Sequence, residues 1–158
     1  MNKQANSKHC FVCGVENLFG LHLYFYEMEP GFVKAEIIVP EQFQGYPGVV
    51  HGGIVAAMLD EVSGRSMIRG EPPRFMVTAK LNVRYRRPVP VGKKLLLEGK
   101  AKEDNGRIAV VSGSIFNEDH ELLAEAEAVL ADIPKKIMEE AAFGPDDWKV
   151  YPDKEAKA

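Results

Sequence analysis

The sequence predicts an α+β fold in which an antiparallel sheet of about five to six strands wraps one long central helix. Three observations lead there. Several segments alternate apolar and polar residues, as half-buried antiparallel strands do. One stretch, Ile54 to Leu59, is apolar at six successive positions without alternation. The triplet Asp104-Asn105-Gly106 separates two strand-like segments and is a strong hairpin signal.

Taken in order, residues 1–9 are polar and read as an arm without regular structure. Leu21 to Tyr26 is rich in aromatics and predicts the first strand. Pro30-Gly31 marks a turn, and Phe32 to Val39 predicts the second strand, with Val33, Ala35, Ile37 and Val39 on one face. Gly and Pro crowd residues 44–48, which makes that segment a loop. The helix is expected from about Gly53 to Arg69, where Gly70 and the Pro72-Pro73 pair stop it. Four further strands are expected at Phe75–Arg87, Lys94–Lys102, Arg107–Phe116 and Glu121–Asp132. A short helix at Lys135–Ala142 belongs to a charged tail expected to be peripheral. The expected organisation is an N-terminal arm over 1–20, one domain over 21–133 and the tail over 134–158. One helix leaves much of such a sheet uncovered, which argues for a homodimer or a dimer of dimers.

The chain has 158 residues, with 20 Lys plus Arg against 23 Asp plus Glu. The length suits one domain with a substantial core. A net charge of −3 gives no support to nucleic-acid binding. No apolar run approaches the roughly 18 residues of a membrane span, and residues 1–8 lack a signal peptide's apolar stretch. The expectation is a cytoplasmic protein bound to neither membrane nor nucleic acid.

The charge is uneven. Residues 72–97 carry Arg74, Lys80, Arg84, Arg86, Arg87, Lys93 and Lys94 and no acid, while the rest of the chain is acidic. That division suits a small ligand with phosphates at one end. The two cysteines, Cys10 and Cys13, form a single Cys-x-x-Cys beside His9. A structural zinc site normally takes four ligands, so packed free thiols are expected, with a shared metal site or a redox pair as the alternatives.

The most informative segment is Pro47-Gly48-Val49-Val50-His51-Gly52-Gly53 followed by Asp60. Glycines at a helix start let a ligand approach the backbone, whose first N–H groups lack partners and carry the positive pole of the helix dipole. Such a site can polarise a carbonyl and hold an oxyanion. A carboxylate in an otherwise apolar helix is costly without a partner or a task. Its structural explanation would be a neighbouring Arg or backbone group. Glu61, one position on, points elsewhere round the helix, though the sequence allows the two acids to exchange roles.

This segment, with Phe75 to Pro90 and with Cys10-Phe-Val-Cys13-Gly14, Asn17 and Gly20-Leu21, resembles the hotdog-fold acyl-CoA thioesterases, in the phenylacetyl-CoA thioesterase-like branch. The resemblance covers residues 10 to about 132. It implies hydrolysis of a CoA thioester, with no metal or redox cofactor and CoA as part of the substrate. Asp60 corresponds to the catalytic carboxylate, as general base or nucleophile. Gly52 and Gly53 correspond to the oxyanion-holding backbone, His51 to the residue that orients the thioester, and Thr78 to a hydroxyl that positions water. Alternation places Thr78 opposite the apolar face of its strand. Asn82, Arg84, Arg86 and Arg87 are the expected CoA contacts. Where some relatives have an Asn before His-Gly-Gly, this chain has Gln44 and Gly45. The rival readings are an acyl-thioester hydratase or dehydratase on the same fold and a non-catalytic acyl-CoA-binding module.

Overall fold

A computed structural model describes residues 1–70, 73–141 and 147–152. Among these, two short strands open the chain, β1 (Asn2–Lys3) and β2 (Asn6–Ser7), followed by β3 (Tyr26–Glu29) and β4 (Phe32–Ile38). The helix α1 (Gly52–Arg65) precedes β5 (Met76–Tyr85), β6 (Lys94–Asp104), β7 (Ile108–Phe116) and β8 (Leu122–Asp132). A short helix α2 (Lys135–Glu140) and β9 (Trp148–Lys149) complete the order. Seven strands form one antiparallel sheet in the order β1-β3-β4-β6-β7-β8-β5, and β2 pairs with β9 apart from it. No helix among the described residues is long and apolar enough to cross a membrane.

The α+β prediction therefore stands, with α1 packed against the sheet. The sheet has seven strands where five to six were expected, because β1 from the N-terminal segment pairs with β3 and extends its edge. The helix seats Val55, Met58, Leu59 and Val62 against the sheet, each at most 1% exposed. Burial of such side chains contributes roughly 1.5–3 kcal/mol each. The helix comes close because β6 and β7 place Gly99 and Gly113 side by side beneath it. A Cβ on Gly99 would lie 1.8 Å from the Val62 carbonyl oxygen, and one on Gly113 2.9 Å from that of Leu59. Gly106, at φ +93°, makes the turn of the β6–β7 hairpin.

Several boundaries differ from expectation. The strand expected at Leu21–Tyr26 begins only at Tyr26. His22 takes a positive φ of 56°, and the Leu21 and Leu23 N–H groups donate to Phe11 and Val12 carbonyls instead of to a sheet neighbour. Residues 1–9 are not a free arm. The Asn6 side-chain amide donates to the Cys13 and Leu23 carbonyls, both at 2.7 Å, and that of Gln4 to the Arg65 carbonyl at the end of α1. Short-range sequence signals do not report such distant partners.

The helix starts at Gly52 and ends at Arg65, not Arg69, because residues 66–68 tighten into i→i−3 turns. Pro72, half of the expected stop, lies outside the described residues, as does Ala142 of the expected tail helix. The tail is not peripheral either: β9 pairs with β2, and the ring of Trp148 covers the Arg65 guanidinium at 4.7 Å.

Candidate active site

The loop that delivers the helix start is fixed locally. The Gln44 side-chain oxygen accepts the Gly48 N–H at 3.1 Å, and Gln44 also bridges Val50. Gln44 thus braces the turn of the loop. His51 then caps α1: its Nδ1 accepts the Gly53 N–H at 2.9 Å. An accepting Nδ1 leaves the proton of a neutral imidazole on Nε2, a donor without an acceptor among the described residues. Gly53 has spent its N–H on this cap. The Gly52 N–H has no acceptor among the described residues and stands at the positive end of the helix. Of the two glycines, Gly52 is the one able to hold an anionic oxygen.

Beside this helix start opens a cavity of about 750 Å³, lined by His51, Gly52, Val55, Tyr85, Arg86 and Arg87 among others. Tyr85 was not among the candidate residues. Its hydroxyl donates to the Gly52 carbonyl at 2.7 Å and fixes the end of β5 over the helix start. Its place on one face with Leu81 and Val83 was the available signal.

Asp60 lies two turns further on, half-buried and lining a second cavity of about 290 Å³ with Phe75, Met76, Val77, Thr78 and Leu130. Thr78 Oγ1 donates to Asp60 Oδ1 at 2.7 Å. No cation among the described residues pairs with Asp60. The Arg that would explain a structural acid instead goes to Glu61, whose Oε1 accepts from Arg65 Nε at 3.0 Å. The two neighbouring acids line the same cavity but take different partners, Asp60 the Thr78 hydroxyl on β5 and Glu61 the Arg65 guanidinium and the Cys10 thiol.

The placement of Thr78 corrects the alternation argument. The register of β5 against β8 runs Thr78↔Leu130 and then Lys80↔Val129, leaving Ala79 as an extra residue. That bulge flips the faces of the strand. Thr78 therefore points to the helix along with Leu81 and Val83, not away from them.

The basic segment is largely neutralised across strands. Arg74 pairs with Asp104 and Asp132, Arg86 with Glu125, Arg87 with Glu121 and Lys94 with Glu36. Lys80, Arg84 and Lys93 have no carboxylate partner among the described residues. The expected CoA contacts fall in two places: Arg86 and Arg87 line the His51 cavity, whereas Asn82 and Arg84 line a separate depression on the sheet's outer face with Ser112 and Ser114.

Gly52 and Asp60 are eight residues apart on one helix, a rise of about 12 Å. That is too far for both to reach one carbonyl. On the side of β5 away from β8, no strand pairs among the described residues, and Val77 and Tyr85 are 48% and 53% exposed there.

The sequence profile of the thioesterase superfamily matches residues 47–124, from the loop before α1 into β8. The chain belongs to this superfamily, and its fold is the hotdog fold. It is 33% identical over 97 residues to acyl-coenzyme A thioesterase THEM4 of Mus musculus, a match covering 60% of this chain and 41% of that protein. The matched segment thus spans less than half of that relative. A crystal structure of a thioesterase superfamily protein superposes with a TM-score of 0.73 at 31% identity, covering 78% of this chain and 63% of that one. A Streptococcus mutans protein solved bound to acetyl CoA shares the fold, with a TM-score of 0.64 at 23% identity over 70% of this chain and 88% of that one.

Proposed function

We propose that this chain hydrolyses acyl-CoA thioesters to the free acid and CoA, at a site completed between two copies of itself. The observation that carries the reading is the pair of groups on α1: a Gly52 N–H and an Asp60 carboxylate, the first without an acceptor and the second, held by Thr78, without a cation among the described residues. The first suits a developing oxyanion, and the second suits a general base.

The separation of about 12 Å along α1 requires a second copy. β5 supplies the means. Thr78 marks the Asp60 end of the strand and Tyr85 marks the Gly52 end. If two β5 edges pair antiparallel about a two-fold axis near Leu81 and Asn82, each Asp60 comes to the Gly52 of the other copy. The half-exposed face of α1 carries Ala56, Asp60 and Gly64, whose small neighbours leave room for that approach.

In the completed site the thioester oxygen accepts the Gly52 N–H, with His51 Nε2–H as a second donor within the same cavity. Thr78 holds Asp60 Oδ1, leaving the other oxygen to take a proton from water. The water oxygen attacks the carbonyl carbon, the C–S bond breaks, and the leaving CoA thiolate takes the proton that Asp60 had accepted, which returns Asp60 to its ionised form. The acyl group lies along Phe75, Met76, Val77 and Leu130, the apolar side of the cavity whose other walls carry Asp60, Glu61, Arg65 and Thr78. Arg86 and Arg87 at the other cavity face the phosphates of CoA, exchanging surface carboxylates for charge-assisted bonds. The name of the mouse relative and the acetyl CoA in the Streptococcus neighbour support this substrate class.

A panel of short, branched, aromatic and long acyl-CoA substrates, assayed for thiol release, tests the reading. Turnover of at least one member is the expected result. CoA binding without turnover of any would overturn it in favour of a non-catalytic acyl-CoA-binding module, and water addition to an enoyl-CoA in favour of a hydratase.

A further inference from the structure

The N-terminal Cys-x-x-Cys plays no part in the proposed hydrolysis, yet it is tightly built. The Cys10 Sγ accepts two backbone N–H bonds, from Val12 at 3.3 Å and Cys13 at 3.4 Å, and the Gly14 N–H closes the turn on the Cys10 carbonyl at 2.8 Å. Only glycine fits at position 14, since a Cβ there would sit 2.3 Å from that carbonyl oxygen. A turn that directs two backbone donors at one sulfur stabilises a thiolate and presents both sulfurs to one side. A third group meets them from α1: the Glu61 Oε2 lies 3.8 Å from Cys10 Sγ, and the three ligand atoms lie within 4.8 Å of one another.

We propose that Cys10, Cys13 and Glu61 form a zinc site with one further coordination position open to solvent. Tetrahedral zinc, with Zn–S near 2.3 Å and Zn–O near 2.1 Å, sets its sulfur and oxygen ligands about 3.6 Å apart, close to the spacing present here. Two sulfurs select a soft or borderline cation over calcium or magnesium. Glu61 is oriented for this task by its other oxygen, which the Arg65 Nε holds at 3.0 Å. An outer contact of this kind fixes a ligand in place.

Charge balance favours the same assignment. Arg65 is 1% exposed and lies against the rings of Phe25 and Trp148 at 4.5 and 4.7 Å. Zinc with two thiolates and one carboxylate carries a single negative charge, which this buried guanidinium neutralises. Zinc binding takes both sulfurs as thiolates and releases their protons. The open position faces a cavity of about 460 Å³ with His9, Phe75 and Trp148 in its walls. The bound ion would fasten the N-terminal segment to α1 one residue from Asp60.

The test is independent of hydrolysis. The full chain, reduced and stripped with chelator, is loaded with zinc chloride or cobalt chloride, gel-filtered and assayed for metal. About one zinc per chain is expected, with a raised Tm, and cobalt should give a thiolate charge-transfer band and intense tetrahedral visible bands. The Cys10→Ser/Cys13→Ser variant should hold no zinc. Glu61→Gln, which keeps the side chain's shape, should weaken zinc binding by ~10-fold or more. Failure of the wild type to retain metal, or a cobalt spectrum without thiolate bands, would overturn the proposal. So would equal zinc affinity in Glu61→Gln. If the double serine variant does not fold, the wild-type cobalt spectrum and Glu61→Gln still decide the matter.

Discussion

Replacing Asp60 with Asn is expected to lower kcat for acyl-CoA hydrolysis by ~10²–10⁴-fold, the range of general-base catalysis, while leaving CoA binding and Tm close to wild type. The substitution is nearly isosteric, and an Asn side-chain oxygen still accepts the Thr78 hydroxyl that holds Asp60 Oδ1 at 2.7 Å. No ion pair is broken, because no cation among the described residues pairs with Asp60. What is removed is the capacity to accept a proton from water. Rate measurements at saturating substrate, beside a thermal melt, separate the chemical loss from a folding defect. Wild-type turnover by Asp60→Asn would remove Asp60 from the mechanism.

Gly52→Pro is the second large effect, and it acts at the other end of the helix. Proline removes the one backbone N–H proposed to hold the thioester oxygen, which is expected to lower kcat by ~10²–10³-fold. The fold should tolerate it. Gly52 is the first helical residue, where proline is favoured because its missing N–H has no intrahelical partner. His51 already has φ −56° and ψ 135°, the extended conformation required before proline. A Cβ at Gly52 meets nothing closer than the Tyr85 hydroxyl at 3.5 Å. A variant that keeps its Tm and loses turnover places the oxyanion at this N–H. One that keeps both places it elsewhere.

How much of this was legible in the sequence depended on the range of each interaction. The buried helix and the hairpin strands were legible because periodicity and the Asp104-Asn105-Gly106 turn are local. The start of α1 was legible to within one residue, since the His51 cap and its glycines are sequence neighbours. The face of Thr78 was misread because alternation assumes an unbroken pleat, and the extra residue Ala79 shows only in the register against β8. The basic segment was overvalued for a similar reason: the acids that pair with Arg74, Arg86 and Arg87 come from β6, β8 and the loop before β8. The order of residues 1–9 was missed because β2 finds its partner in β9, at the far end of the chain. The exchange of roles between Asp60 and Glu61 that the sequence allows is resolved by Arg65, which lies against Trp148 and pairs with Glu61 alone of the two.

The central claim is that Asp60 of one copy acts with Gly52 of another, and mixed dimers test it most directly. Asp60→Asn and Gly52→Pro chains carrying different affinity tags are co-expressed, and mixed dimers are isolated by two successive affinity steps. Each parent variant is nearly inactive. A site built across the two-fold axis gives the mixed dimer one intact Asp60–Gly52 pair and one doubly damaged pair, so about half of wild-type activity per dimer is predicted. Mixed dimers as inactive as their parents, or none recovered by the second affinity step, would contradict the account.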